Sequence, residues 1–364
     1  MRYTPYGGAE VFLSRFLTEL LKQGHTIEVF STAWEERKGV IVHKVRTFGP
    51  SFLRPLIFAS KVHKAVDMEN LDCVLSLERT YCQDIYRAGD GCHREWLIRR
   101  GNTVSWFKRF LISLNPLHAV LLYLEKRLFS SKRLNTVVAN SNSVKRDIIR
   151  HYGFPEDRIC VIYNGIEPST FERRDKGDRA TVREGMGITE DTTLLLFVGS
   201  GFERKGLIYA IRALSILKDK GDIRLLVIGR GNTSKYLREA RRLRVEDRVI
   251  FKGPVKGALE FYPAGDIFVL PSIYEPFSNA CLEAMAAGLP VVTSRVNGAS
   301  EILTDGVNGA ILEDPTDHFE IAGKIAQFLD KEKRKKACEL ARREAVKYPI
   351  ERTVTEFLKL IESN

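Results

Sequence analysis

Two carboxylates eight positions apart, Glu275 and Glu283, lie in the segment Pro271-Ser272-Ile273-Tyr274-Glu275-Pro276-Phe277-Ser278-Asn279-Ala280-Cys281-Leu282-Glu283. The segment follows the apolar run Ile267–Leu270. Pro276 favours a helix start near Ser278, because the fixed φ of proline suits the first turn. Glu275 then stands in the loop at a strand end, and Glu283 about one and a half turns inside the helix. Ser278 and Asn279 offer caps and backbone N–H groups to a phosphate. An acidic residue placed like Glu283 can accept both hydroxyls of a ribose, as in dinucleotide folds. The blander alternative is a capping carboxylate plus a glutamate at the edge of a core.

A second pattern is Val198-Gly199-Ser200-Gly201-Phe202-Glu203-Arg204-Lys205-Gly206, after an apolar strand and before a helix. Its glycines make room, and Arg204 with Lys205 places two cations at the strand end. It is neither a P-loop nor a complete G-x-G-x-x-G. A diphosphate is its natural guest, each charge-assisted hydrogen bond being worth about 1.5–3 kcal/mol. Gly229, in Val227-Ile228-Gly229-Arg230-Gly231-Asn232, marks a turn lining the cleft. Gly7 and Gly8 precede a helix, where paired glycines expose N–H groups to an anion. In Asp90-Gly91-Cys92-His93, Asp90 is a candidate acceptor-side carboxylate with His93 beside it; the alternative is an exposed Asp-Gly turn. No D-x-D occurs, so cationic side chains rather than a metal are expected to neutralise a diphosphate.

These residues need elements to hold them. Apolar runs read as buried parallel strands at Thr26–Phe30, Val40–Val45, Cys73–Leu77, Thr136–Ala139 and Cys160–Tyr163. A second set covers Leu194–Val198, Arg224–Ile228, Val249–Phe251, Ile267–Leu270 and Val291–Thr293. Helical patterns lie between them, at Ala9–Lys22, Ser143–His151, Leu207–Lys218 and Asn279–Ala287. The alternation predicts an α/β chain of two Rossmann-like, doubly wound domains facing a cleft. The polar stretch Asn164–Asp191 reads as their connector. A charged helix at Asp330–Ala345 leads to an apolar-periodic segment near Val354–Ile361.

Composition bounds the function. With 364 residues, 44% hydrophobic and 28% charged, the chain is neither disordered nor a single small domain. Six cysteines without a C-x-x-C pair argue for free thiols and against structural zinc. The net charge of +11 is uneven: residues 1–166 carry 25 basic against 16 acidic side chains, and 94–133 carry nine against two. Such a patch suits a polyanion or an anionic membrane surface. The opening MRYTPYGGAE has no signal-peptide core. Phe110–Leu124 is too short to span a bilayer and is broken at Asn115-Pro116, which reads as a helical hairpin, either packed into the core or lying at an interface.

The chain resembles a retaining glycosyltransferase of the GT-B fold, family 4. The resemblance rests on GGAE at 7–10, GSGFERKG at 199–206, and Glu275/Glu283 followed by AMAAGLPVV at 284–292. NGASE at 297–301 and DGVNG at 305–309 continue it. GSGFERKG and AGDGC at 88–92 resemble the lipopolysaccharide core α-1,3-glucosyltransferases more narrowly. The resemblance implies that Arg204 and Lys205 grip the diphosphate, Glu283 holds the ribose, and Glu275 meets the donor sugar near its 3- and 4-hydroxyls. Gly7, Gly8, Gly199, Ser200, Gly201, Gly229, Pro276, Phe277, Ser278 and Asn279 would complete the donor site. Asp90 matches an aspartate near the reaction centre, and His93 would face the acceptor. Many members carry Arg where Ser200 stands, a role that falls to Arg204. The family also begins with an apolar strand before the GG loop, and here that first strand is expected to be absent.

The resulting expectation is a metal-independent hexosyltransferase. Residues 1–166 would bind the acceptor, with a C-terminal helix at about 347–364 packed back on them, and 167–346 would bind the nucleotide-sugar. The donor, of UDP-glucose type, is a substrate, and no resident cofactor is expected. The acceptor would be a saccharide or lipid-linked saccharide at the cytoplasmic membrane face, and no nucleic acid is expected. A nucleotide-sugar epimerase and a non-catalytic polyanion binder are the alternatives; release of free UDP with acceptor, and a gel shift, would separate them.

Overall fold

The structure is a computed structural model that describes residues 8–35, 37–69, 71–172, 176–255 and 257–362. The chain divides into two compact units. Unit 1 is the chain up to Asn164 together with the segment from Ile350, and unit 2 is Gly165–Pro349.

Unit 2 opens with α7 (Ser169–Glu172) and α8 (Lys176–Glu184), so the polar stretch read as a connector holds two helices. Arg179 and Arg183 of α8 tie it down by binding the Asp266 carboxylate at 2.9 and 3.3 Å. Then follow β7 (Thr193–Val198), α9 (Leu207–Ile216), β8 (Ile223–Ile228), α10 (Ser234–Arg242) and β9 (Val249–Gly253). β10 (Ile267–Leu270), α11 (Asn279–Ala286), β11 (Val291–Ser294), β12 (Gly309–Leu312), α12 (His318–Ala326) and α13 (Lys331–Ala345) complete the unit. The six strands pair in the order β12-β11-β10-β7-β8-β9, all parallel. β7 and β10 are apolar on both faces because helices cover both, as parallel sheets require. The order reverses between β7 and β10, and ligands of doubly wound sheets bind outside the carboxyl ends at such a point.

Unit 1 comprises α1 (Gly8–Lys22), β1 (Ile27–Ser31), β2 (Val40–Lys44), α2 (Arg54–Met68), β3 (Leu75–Ser76) and β4 (Ile85–Ala88). α3 (His93–Asn102), α4 (Trp106–Ser113), α5 (Pro116–Phe129), β5 (Thr136–Ala139), α6 (Asn142–Tyr152), β6 (Ile159–Val161) and α14 (Ile350–Glu362) complete it. Helix α14 packs on α1 through Phe357, whose ring meets Phe12 at 4.8 Å. The strands are parallel but form two sheets, β1-β2 and β3-β4-β5-β6. Between them lies a cavity of about 410 Å³, lined by Ile27 and Val29 of β1, Cys73 and Leu75 at β3, and Phe16 and Leu20 of α1. Among the described residues β1 pairs only with β2, and β3 only with β4. The place of the first strand that the family carries, ahead of the paired glycines, lies outside the described residues.

The hairpin at Asn115-Pro116 forms, with Asn115 capping α5 through a 3.0 Å bond from Leu117 N. Its halves differ in packing. α5 buries Leu124, Leu128 and Phe129, whereas α4 buries nothing, so packing of the whole hairpin into the core does not hold. Among the described residues no helix is long and apolar enough to cross a membrane.

Candidate active site

The two loops at the switch point of unit 2 bring the paired cations and Glu275 together. The Glu275 Oε2 atom accepts from Arg204 Nη1 at 2.5 Å and from Lys205 Nζ at 2.9 Å. Arg204 comes from the loop after β7 and Glu275 from the loop after β10. The loops are stitched by Ile273 N to Arg204 O at 2.8 Å and Arg204 Nη1 to Tyr274 O at 3.2 Å. Burial pushes the Glu275 carboxyl up, but the adjacent Lys205 and Arg204 charges prevail and hold it below the usual carboxylate range. Glu275 is therefore an anion near neutral pH.

Gly199 lets Lys205 reach this position. A Cβ on Gly199 would lie 2.5 Å from Lys205 Cδ and Cε, and its φ of +147° is one that side chains rarely adopt. Ser200 is exposed and accepts from Arg230 N at 3.1 Å; Gly201 N donates to Arg230 O at 3.4 Å. Gly229 stands in the same turn after β8, donating to Gly253 O at 3.0 Å.

Pro276 and Phe277 are buried and lead to Ser278, the N-cap of α11, whose Oγ accepts from Cys281 N at 3.3 Å. Asn279 is the first helical residue, close to the expected start. Glu283 sits one turn further in, and its Oε2 accepts from the fully buried Tyr262 hydroxyl at 2.7 Å. Burial raises the Glu283 carboxyl, partly countered by the Tyr262 hydrogen bond and the Lys205 charge.

Two residues here received no role from the sequence. Asn297 is fully buried. Its Oδ1 accepts from Ser278 N at 3.2 Å and Ala299 N at 3.1 Å, while Nδ2 donates to Thr293 Oγ1 at 2.9 Å. It thus joins the end of β11 to the start of α11. The Asn-Gly pair at 297–298 was visible, but a turn residue does not announce which backbone it will satisfy. Tyr262 lay in Glu260-Phe261-Tyr262-Pro263, where only its hydroxyl hinted at a polar partner.

Unit 1 holds a second polar cluster after β4. Asp90 is exposed, and its Oδ2 lies 3.7 Å from Arg79 Nη1. His93 opens α3, and its ring Nε2 lies 3.0 Å from His118 Nδ1. Burial, then Arg79 and His118, lower the His93 pKa to about 4 against the pull of Glu125, leaving the ring neutral. The organiser is the buried Glu125, which accepts from His93 N at 2.6 Å, Arg79 Nε at 3.0 Å and Tyr152 OH at 2.5 Å. A lone carboxylate directly after the apolar run Leu121–Leu124 was its signal, since buried charge demands partners. Gly8 opens α1, and Gly7 lies outside the described residues. Asp90 and His93 thus share one network of unit 1; Glu275, Arg204, Lys205 and Glu283 share the switch point of unit 2. Elsewhere in unit 1, ligand atoms of Glu28, His43 and Glu69 lie within 4.8 Å of one another, close enough for a cation but remote in sequence from both clusters.

Comparison with known proteins follows these two units. The family described as glycosyl transferases group 1 matches residues 178–345, and that described as Glycosyltransferase Family 4 matches residues 6–170. An uncharacterized glycosyltransferase of Methanocaldococcus jannaschii is 30% identical over 319 residues, covering 83% of this chain and 80% of that protein. The lipopolysaccharide glucosyltransferase WaaG of Escherichia coli is 26% identical over 324 residues, covering 86% and 84%. The crystal structure of WaaG superposes with a TM-score of 0.86 at 23% identity, over 100% of this chain and 98% of that one. The structure of Anabaena HepE in complex with UDP and glucose gives a TM-score of 0.70 at 19% identity, over 100% and 98%.

Proposed function

The chain belongs to the GT-B glycosyltransferases of group 1 and family 4, and from that membership we propose that it moves a hexose from a UDP-sugar to a phosphorylated, lipid-linked saccharide. Anomeric configuration is retained in this reading, and the product belongs to lipopolysaccharide core or related envelope polysaccharide. The observation that carries it is the meeting of Arg204 and Lys205 on Glu275 at the switch point, beside a capped helix that presents Glu283. HepE, of the same fold, is described with UDP and glucose bound, and WaaG is named a lipopolysaccharide glucosyltransferase.

In this reading a diphosphate enters as a competitor for the two cations that Glu275 now shares. Arg204 and Lys205 turn to its oxygens, and the Glu275 carboxylate is released to accept hydroxyls of the hexose. Glu283, already oriented by Tyr262, accepts the ribose hydroxyls. The bond from the sugar C1 to the phosphate oxygen breaks on the face where the acceptor oxygen bonds to C1. The acceptor proton passes to the departing phosphate oxygen, and UDP leaves. Asp90 and His93 of unit 1 are assigned to acceptor binding, and no metal ion is needed in this scheme.

The test is calorimetric titration with UDP, GDP and ADP, repeated on Glu283→Ala and Lys205→Ala. Micromolar binding of UDP over the other two, weakened about 100-fold by loss of one charge-assisted contact and exposure of its partner, is the expected result. Failure of any nucleotide to bind a folded sample would refute the donor site.

The basic segment 94–133 is assigned to an anionic membrane surface. Helix α4 exposes Trp106, Phe107, Phe110 and Leu111, and Lys108 and Arg109 interrupt this apolar set. Aromatic side chains among cations suit a lipid headgroup layer, each cation near it contributing about 1 kcal/mol. Binding to phosphatidylglycerol vesicles should fall with salt and with neutralisation of Arg99, Arg100, Lys108 and Arg109. Binding indifferent to both would remove the membrane from the scheme.

A further inference from the structure

We propose that unit 1 contains an oxyanion subsite built on Arg87, which receives a phosphate-type group of the substrate. This rests on the reading of the protein as a transferase of phosphorylated substrates. Arg87 lies near the carboxyl end of β4, where ligands of parallel sheets bind. Its side chain turns to the face covered by α1 and α14, with the guanidinium carbon 4.6 Å from the Phe12 ring and 6.0 Å from the Phe357 ring.

The environment is unusual for a buried cation. Arg87 is 7% exposed, yet its hydrogen bond is to a neutral amide, Nη2 to Asn164 Oδ1 at 2.8 Å. Among the described residues no carboxylate lies within ion-pair distance of it. Other arginines removed from solvent are compensated: the buried Arg183 meets Asp266 at 3.3 Å, and the half-buried Arg79 meets Glu125 at 3.0 Å. Asp90, whose charge reaches Arg87, is itself beside Arg79. Burial drags the Arg87 pKa down to about 10, so the group remains a cation at neutral pH. Removing a charge from water without an ionic partner is costly, and an arriving anion would offset that cost.

The guanidinium is buried but not fully sealed. None of the Arg87 nitrogens is among the sealed, unbonded polar atoms of the described core. A Cβ added to Gly89 would come within 3.1 Å of Arg87 Nη1, so the guanidinium lies against the loop that carries Asp90. Phe12, on which it stacks, is one turn inside α1. A planar guanidinium fork matches the oxygens of a phosphate. The group received is the acceptor's phosphate or the donor's diphosphate; both present the same chemistry.

The experiment is calorimetric titration of the full chain with inorganic phosphate, without UDP and with UDP saturating, on wild type, Arg87→Met and Arg87→Lys. Thermal melts of each variant confirm folding. The expected result is millimolar phosphate binding that weakens at least tenfold in Arg87→Met and is partly restored in Arg87→Lys. Loss seen with UDP present assigns the subsite to the acceptor; loss seen only without UDP assigns it to the donor diphosphate. Equal phosphate binding by wild type and both variants overturns the proposal, as does absence of phosphate binding to wild type. UDP binding in the same samples reports separately on unit 2, so failure of the donor site is distinguishable from failure at Arg87.

Discussion

The sheet of unit 2 runs unbroken through six strands, whereas in unit 1 the inner edges of β1 and β3 flank a cavity of about 410 Å³. The difference shows in how each unit holds its polar residues. In unit 2 the cations and Glu275 project from loops anchored by adjacent central strands, and Asn297 fixes the geometry from below. In unit 1 the corresponding work falls to side chains, with Glu125 gathering α3, Arg79 and Tyr152 around one carboxylate. A continuous six-stranded sheet positions a site through its backbone; where the described strands form two smaller sheets, a buried polar network does that work, and such a network is sensitive to protonation.

The largest effect should come from two glycines. Gly206 has a φ of +74°, and a Cβ there would lie 1.9 Å from Pro271 O, so Gly206→Ala must move the two loops that carry Lys205 and Glu275. We expect a loss of about 3–4 kcal/mol from forced backbone movement in a packed region, with UDP binding abolished. Gly24 in unit 1 has a similar φ of +86° but nothing within 4 Å. Gly24→Ala should cost only about 1–2 kcal/mol, the backbone strain alone. Urea melts of the two variants test this, and equal losses would mean that the packing difference has no energetic weight.

A smaller contrast concerns leucines. Leu195 in β7 is enclosed by β8 and β10, while Leu17 of α1 faces the cavity. Leu195→Ala should cost about 3 kcal/mol, and Leu17→Ala about 2, because a side chain already beside a void has fewer contacts to lose. All three tryptophans, Trp34, Trp96 and Trp106, lie in unit 1, so fluorescence follows that unit while circular dichroism follows the whole chain. Equal costs would show that the cavity closes in solution.

Unit 2 was the more legible in sequence for the same physical reason. Runs such as Leu194–Val198 and Ile267–Leu270 are apolar on both faces, which only a covered parallel strand requires, and the glycines, cations and Ser278 follow them directly. Strand β4 escaped notice because Arg87 interrupts its apolar run, and that interruption is the feature that makes it chemically interesting. β12 is four residues with a leading glycine, too little pattern to separate from a loop. Helix α8 was hidden in a polar stretch because it is held by Arg179 and Arg183 on Asp266, a long-range ion pair that periodicity does not encode. The pairings of Glu283 with Tyr262 and of Glu125 with Arg79 are likewise tertiary, visible in sequence only as polar groups in need of partners.

Acid should separate the units by the smallest of these effects. His93 has a pKa of about 4 in the folded chain against an ordinary 6.5, because burial and Arg79 disfavour its charged form. Between those values the unfolded chain binds the proton and the folded one does not, so stability falls as pH drops through 6.5 towards 4 and levels below it. The contribution is about 1–2 kcal/mol once partial exposure is discounted. In unit 2 the lowered pKa of Glu275 stabilises above the unfolded carboxylate value, and that stability is lost as pH falls through the folded value, a more acid window. The raised pKa of Glu283 works in the opposite sense, since its stabilising contribution is present in acid and lost as pH rises. Tryptophan-detected urea melts from pH 7.5 to 4.5 should therefore weaken unit 1 first, and His93→Asn should flatten that dependence. A variant that retains the full slope would move the acid sensitivity away from the Glu125 network and leave the two units alike in this respect.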